Sequence, residues 1–401
     1  MKDVVVVGAG QAAASLVARL RAKGFDGAIT LIGAEPVPPY QRPPLSKAYL
    51  LGEMELERMF LRPEAWYAEN DVTLKLGAPV ERIDRAARLV ELGGEAVAYD
   101  KLALATGARP NLLPAAIGGD LGGVYCVRSL ADVEAMAPEF RAGARVLIVG
   151  GGYVGLEAAA VAAAKGLKVT LVEAAERILQ RVAAPETSAW FRDLHRRHGV
   201  DIREGVGLRR LLGGPRVHGA ELADGGALEV DFVIVGIGVT PEVGLAEAAG
   251  LALDNGIAVD AEGRSSDPHI WAAGDCAAFP MENGRARLES VGNAIDMGEL
   301  VADNMLGAGR AYVPKPWFWS DQYDVKLQIA GLCGAQTEVV ARQGARAVSF
   351  WYYAGDRLIA IDAINDPRAY MVGKRLIEAG RSADKALVAD PEADLRPLLR
   401  A

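Results

Sequence analysis

The stretch "ARVLIVGGGYVGLEAAAVAAAKG", residues 144–166, runs from an unbroken apolar segment through a glycine cluster into an alanine-rich segment. Gly150, Gly152 and Gly155 stand at the junction in the spacing G-x-G-x-x-G. The first glycine allows a tight turn, the second lets a pyrophosphate approach the backbone, and the third lets the helix lie close to the strand. The spacing predicts a strand over 144–152, a helix over 153–166 and a second strand, "KVTLVEAAE", over 168–176. Glu173 falls roughly 20 residues after the turn, where a carboxylate meets ribose hydroxyls. Ala174, Ala175 and Glu176 follow it, and a second acid there repels a 2′-phosphate. The nucleotide read from this unit is therefore NAD(H), although Arg177 and Arg181 come soon after.

The same plan opens the chain. "DVVVVGAG" (3–10) is a strand, "QAAASLVARLRAKG" (11–24) a helix and "AITLIGAE" (28–35) a strand. Gly8 and Gly10 make the turn, Ala12 and Ala13 begin the helix, and Ala13 is small enough for the third-glycine position. Glu35 is the expected ribose acceptor at the end of the second strand. Two further stretches echo one another, "YDKLALATGARP" (99–110) and "VDFVIVGIGVTP" (230–241). Each reads as a strand ending in a glycine turn, through Ala105, Thr106 and Gly107 in one and Gly236, Ile237 and Gly238 in the other. "DPHIWAAGDCAAFP" (267–280) adds a late buried strand ending at Gly274 and Asp275. The simplest topology nests the second nucleotide fold inside the first, which resumes near residue 240.

Composition narrows the class. A chain of 401 residues, 51% hydrophobic, supports two to three domains with buried parallel sheets. The net charge of −8 argues against a nucleic-acid binder. No apolar run reaches the ~18 residues of a membrane span, and the start reads as a strand and not a signal peptide. The expected location is cytoplasmic. Cys126, Cys276 and Cys333 form no close pair, which excludes a disulfide framework and a thiolate metal site. His195 and His198, in "DLHRRHG", read as solvated surface histidines, and no metal site is expected.

Two adjoining dinucleotide sites make chemical sense when one cofactor stays and the other visits. The set "GAGQAA", "PPYQRPPLSKAYL", "ATGARP", "GGGYVGLE", "AAGDCA", "ESVGNA" and "PWFWSDQY" resembles the FAD- and NADH-dependent ferredoxin reductases of the putidaredoxin reductase type. These serve cytochrome P450 and ring-hydroxylating oxygenase systems. The resemblance runs from about residue 3 to beyond 360. It implies an α/β fold of glutathione-reductase-like architecture, with two Rossmann-like nucleotide-binding domains and a C-terminal α+β domain. The implied domains are FAD-binding over 1–108 and 240–318, NAD-binding over 109–239 and C-terminal over 319–401.

Disulfide reductases of similar architecture keep a cysteine pair where this chain has "PYQRPPLSK" (39–47), with Pro43, Pro44 and Lys47. Electrons must then leave to an external acceptor. The resemblance implies tight, non-covalent FAD held by Gly8, Gly10, Ala12, Ala13, Glu35, Arg42, Lys47, Val80, Ala105, Thr106, Gly107, Arg128, Asp275, Glu289, Val291 and Trp319. It implies that NAD(H) contacts Gly150, Gly152, Tyr153, Val154, Gly155, Glu157, Glu173, Arg181, Gly236, Ile237 and Gly238. Lys47 and Glu157 are the expected catalytic residues, Lys47 close to flavin N5 and Glu157 orienting the carboxamide and pairing with Lys47. Glu157 also suits the bland role of a helix-start acid, and Tyr153 either shields the flavin or simply packs. "GNAIDMGELVADNML" (292–306) reads as a helix whose N-terminus favours negative charge on a reduced flavin. Gly292, where the family often has glutamine, has no assigned role.

The implied partner is a [2Fe–2S] ferredoxin. "NDPRAYMVGKRLIEAGR" (365–381) reads as a helix capped by Asp366 and stopped at Gly380. Its Lys374 and Arg375, with Arg310, Lys315 and Trp317, are the expected docking surface, against the alternative of a solvated face. Other readings are reduction of rubredoxin or a small molecule, or a redox-sensing flavoprotein like apoptosis-inducing factor.

Overall fold

Val4 to Val7 show no polar alternation, and all four are buried in the strand Asp3–Val7, as a strand covered on both faces requires. The structure is a computed structural model that describes residues 2–282, 284–333, 337–345 and 347–399. These fall into two compact units. One holds Met1–Arg42, Glu55–Arg109 and Val239–Pro316; the other holds Pro43–Met54, Pro110–Gly238 and Trp317–Ala401.

The first unit is built on a parallel sheet in the order Ile270–Ala272, Lys101–Leu104, Asp3–Val7, Ala28–Ile32, Val72–Lys75. The helix Gln11–Ala22 buries Leu16, Val17 and Leu20 completely, each worth roughly 2 kcal/mol. The helix Val291–Met305 packs along it. The second unit repeats the plan with a parallel sheet in the order Asp201–Glu204, Lys168–Glu173, Arg145–Val149, Phe232–Val235, Val124–Tyr125. Its helix Tyr153–Ala164 is buried almost all round, from Gly155 to Ala162.

The second unit also carries an antiparallel sheet in the order Trp317–Gln322, Val325–Gly331, Arg357–Ile364, Val348–Ala354, Glu338–Gln343. The helix Pro367–Glu378 covers it around Trp351, Ile361, Tyr370 and Leu376. Asp366 caps this helix by accepting from the Ala369 N–H at 2.9 Å, and Gly380 ends it at φ +64°.

The strands are shorter than expected. Strand 3–10 ends at Val7 and 144–152 at Val149, because Gly8 (φ +105°) and Gly150 (φ +108°) leave the extended region, and 28–35 ends at Ile32. The first unit resumes at Val239. Pro43–Met54 groups with the inserted unit, as do the residues from Trp317 onward. Among the described residues no helix is long and apolar enough to cross a membrane, and no acid, histidine and cysteine group suits a metal ion.

Candidate functional site

In the first unit the strand ends converge on one cradle. Gly8 adopts φ +105°, and a Cβ there would lie 2.2 Å from the Ala105 carbonyl oxygen, so only glycine fits. Thr106 Oγ1 donates to the Glu242 carbonyl at 2.6 Å and fixes the Ala105–Gly107 turn. Asp275 sits in the turn Gly274–Cys276, and Ala12 packs against Gly274. Gly10 precedes the helix Gln11–Ala22, whose first N–H groups have no intrahelical acceptor and suit a phosphate. Ala13 is fully buried beneath it. Ser290 Oγ accepts from the Asn293 N–H at 3.1 Å, and Val291 opens that helix.

Three expected contacts of this cradle have prior engagements. Glu35 lies beyond its strand, where its carboxylate accepts from Tyr40 Oη (2.7 Å) and Arg42 Nη2 (2.6 Å). Arg42 is therefore paired inside the unit. Glu289 pairs with Arg287 at 2.6 Å, and Val80 packs half-buried against the core. Lys47, Arg128 and Trp319 belong to the second unit.

The second unit's cradle has the same construction. Gly150 adopts φ +108°, and a Cβ would lie 2.3 Å from the Gly236 carbonyl oxygen. Glu173 accepts from the Gly151 N–H (2.7 Å) and the Ala175 N–H (2.8 Å). Gly152 caps the helix, Gly155 lies buried within its first turn, and Arg181 reaches Gly238. Val154 and Ile237 expose large apolar side chains beside the turn, as a docking place for a visiting ligand would. Arg177 is occupied by Ser188 Oγ at 2.5 Å. Both cradles pass a test of fit for a dinucleotide: close backbone approach that a single methyl group would block, followed by an open helix start.

Near the second cradle lies a buried ion pair. Glu157, 4% exposed, accepts from Lys47 Nζ (2.7 Å) and Ser46 Oγ (2.6 Å) through Oε2 and from Ser320 Oγ (2.6 Å) through Oε1. The turn Pro43–Ser46 presents Ser46 and Lys47, and the strand Trp317–Gln322 presents Ser320. A buried carboxylate needs such donors. Neither Ser46 nor Ser320 was singled out in the sequence. The alternation of Phe318, Ser320 and Gln322 on one strand face was the available signal, and Phe318 indeed meets Tyr153 with ring centroids 4.6 Å apart.

His195 departs most from expectation. It is fully buried, with Nε2 2.7 Å from Gln322 Oε1 and Nδ1 3.0 Å from Tyr323 Oη, while His198 is exposed and stacks on Tyr323. Burial of Thr187, Ser188, Phe191, Leu194 and His195 forms one helical stripe, which outweighs the neighbouring charges. Of the docking residues, Lys374 pairs with Glu378 at 3.0 Å and Arg310 with Asp303 at 3.1 Å. Trp317 and Trp319 stack 5.6 Å apart, beside a groove lined by Lys326, Gln328 and Tyr370. Arg310 and Lys315 lie in the first unit, Trp317, Lys374 and Arg375 in the second.

The family model described as pyridine nucleotide-disulphide oxidoreductase matches residues 2–298, and that described as reductase C-terminal matches 317–399. The chain belongs to the pyridine nucleotide-disulphide oxidoreductase family. It is an oxidoreductase with the two nucleotide folds that family shares. A ferredoxin–NAD(P)(+) reductase of a Sphingomonas species is 43% identical, covering 98% of this chain and 97% of its own. Putidaredoxin reductase of Pseudomonas putida is 38% identical, covering 100% and 97%. The structure of a covalent putidaredoxin reductase–putidaredoxin complex superposes with a TM-score of 0.95 at 38% identity, covering 100% of this chain and 98% of that one. Family membership does not bring its disulphide chemistry here, since Cys126, Cys276 and Cys333 are all unpaired and Cys276 is wholly buried.

Proposed function

We propose that this chain is an NADH:ferredoxin reductase that supplies electrons, through a [2Fe–2S] ferredoxin, to a cytochrome P450 or another oxygenase in the cytoplasm. One observation carries the reading: two dinucleotide cradles accompany a Ser46–Lys47–Glu157 cluster in the segment where disulphide reductases keep their thiols. Relatives 38–43% identical that are named ferredoxin–NAD(P)(+) reductase and putidaredoxin reductase support it.

FAD belongs to the Gly8 cradle, with Gly10, Ala12, Ala13, Ala105–Gly107, Asp275 and Val291 as its holders, and NADH to the Gly150 cradle. When bound, FAD takes two electrons as hydride from NADH and can release them singly. The chain's own residues orient and polarise. Lys47, 17% exposed and held by Glu157 at 2.7 Å, places an ammonium in a poorly solvated site. Glu157 limits where that ammonium can point. The Ser290-capped helix start offers unsatisfied N–H groups that would favour negative charge on a reduced flavin bound there. Glu173 at the ribose position, with Arg177 held elsewhere, favours NADH over NADPH.

The test is a panel of purified acceptors with cytochrome c as reporter. Fast NADH-dependent reduction through a [2Fe–2S] ferredoxin is expected. Comparable rates with rubredoxin or quinone alone would displace the ferredoxin reading.

A further inference from the structure

The buried contacts on Glu157 do not end at Ser320. Gln322 Nε2 lies 3.0 Å from Ser320 Oγ, Gln322 Oε1 lies 2.7 Å from His195 Nε2, and His195 Nδ1 lies 3.0 Å from Tyr323 Oη. Ser320, Gln322 and His195 are all buried, and every member belongs to the second unit.

The direction of this chain follows from proton counting. A hydroxyl has one proton, and Ser320 gives it to the Glu157 carboxylate, which only accepts. The Gln322 atom beside Ser320 must then be the NH2, and its carbonyl must face His195. His195 Nε2 must carry a hydrogen, so Nδ1 is the bare nitrogen and accepts from the Tyr323 hydroxyl. Burial lowers the His195 imidazole to about 4, which keeps it neutral near pH 7, and burial raises the Tyr323 phenol, which keeps it a donor. Every link thus donates toward Glu157.

Tyr323 shows that its position is enforced. It is the first residue of a two-residue hairpin loop between paired Gln322 and Val325, and it sits at φ +57°, where glycine or asparagine is the usual choice. Its ring stacks on His198 at 3.7 Å and 7°, and its hydroxyl reaches His195. Gln322 rules out the chain as a proton wire, because an amide cannot pass a proton on without a costly tautomer. What the chain can transmit is orientation.

We propose that His195, its tautomer set by Tyr323, is a positioning residue for the Lys47–Glu157 pair: the Nε2–H form holds Gln322 and Ser320 so that Ser320 donates to Glu157. The opposite tautomer would turn the Gln322 amide over, draw the Ser320 proton away and leave Glu157 one donor short. Among the described residues, the ionisable groups facing Glu157 are Lys47 and Tyr153, and those facing His195 are His198 and Tyr323. The kinetic part of this proposal rests on the reductase reading; the tautomer does not.

The test uses the FAD-loaded protein and two readouts. Nitrogen NMR of histidine-labelled protein near pH 7.5, with His195 assigned through His195→Gln, should show a hydrogen on Nε2 and none on Nδ1. Tyr323→Phe should shift a measurable share to the Nδ1–H form. In stopped-flow reduction by NADH, the limiting bleaching rate of Tyr323→Phe should fall several-fold while its KM for NADH stays near the wild type, because Glu157, one donor short, holds Lys47 less firmly. His195→Leu should lower that rate at least as far, whereas His195→Gln, whose amide can still donate to Gln322, should stay near the wild type. Tyr323→Phe removes a single hydroxyl and keeps the test open should His195→Leu fail to fold. An Nδ1–H or charged His195 in the wild type overturns the proposal, as does a Tyr323→Phe tautomer shift that leaves the bleaching rate unchanged. A wild-type flavin that NADH does not bleach would instead overturn the reductase reading, while the nitrogen spectrum would still decide the tautomer.

Discussion

Lys47 and Glu157 pose the sharpest question for a single side chain. Lys47→Met leaves Glu157 buried with two hydroxyl donors and no countercharge. A broken buried pair costs several kcal/mol, and with Lys47 17% exposed about 2–3 kcal/mol is expected here. Denaturant unfolding should show that loss, and the NADH-driven bleaching rate should fall at least ten-fold. The double variant Lys47→Met/Glu157→Gln should regain most of the stability but little of the rate. Full recovery of rate would mean that the pair only holds the fold. Gly150→Ala separates the two cradles: its methyl group would meet the Gly236 carbonyl at 2.3 Å in a backbone conformation that side chains resist. The protein should stay yellow while its KM for NADH rises more than ten-fold. A colourless variant would show that the cradles are not independent.

At the scale of elements, the helix Pro185–Arg197 joins two buried groups with opposite responses to acid. His195 is lowered from 6.5 to about 4 by burial, so the unfolded chain takes up a proton that the folded one refuses. Stability from this group is present above pH 6.5 and is lost as pH falls toward 4. Asp362, held by Thr187 and Tyr352, is raised by burial from 3.8 to about 6. Its contribution is present below pH 3.8 and is lost as pH rises through 6. The two offset one another between pH 4 and 6. Asp362→Asn should therefore make Tm fall more steeply from pH 6 to 4 than in the wild type, and His195→Gln should flatten the fall. Parallel Tm–pH curves for all three proteins would refute this pairing.

The elements also show what a sequence reader can and cannot see. Strand, glycine turn and helix were legible at residues 3–22 and 145–164 because all their determinants lie within a short stretch. The Asp366 cap and Gly380 stop were legible for the same reason. His195 was not, because Arg196 and Arg197 advertise a surface while the stripe through Phe191 and Leu194 faces inward. Ser320 and Gln322 acquire their meaning from Glu157 and His195, more than a hundred positions away, and no local pattern announces such partners. Lys47 opposite Glu157 came from family resemblance, and the ion pair at 2.7 Å agrees with it.

For the whole molecule, charge and thiols decide what electrons can do. A chain of net charge −8 meets an acidic ferredoxin only through local cations. Lys374→Glu/Arg375→Glu should raise the KM for the ferredoxin several-fold at low salt and much less above 0.5 M salt. Equal kinetics at both salt levels would move the docking surface elsewhere. Pro43–Met54 and the C-terminal sheet group with the inserted fold through tertiary packing, which leaves no local sequence mark. The central claim is that a flavin is the sole two-electron store, with no thiol relay behind it. Anaerobic titration of the yellow protein with NADH measures this directly. One NADH per flavin should complete the bleaching, with no new thiol appearing; two NADH per flavin, or thiols released on reduction, would contradict it.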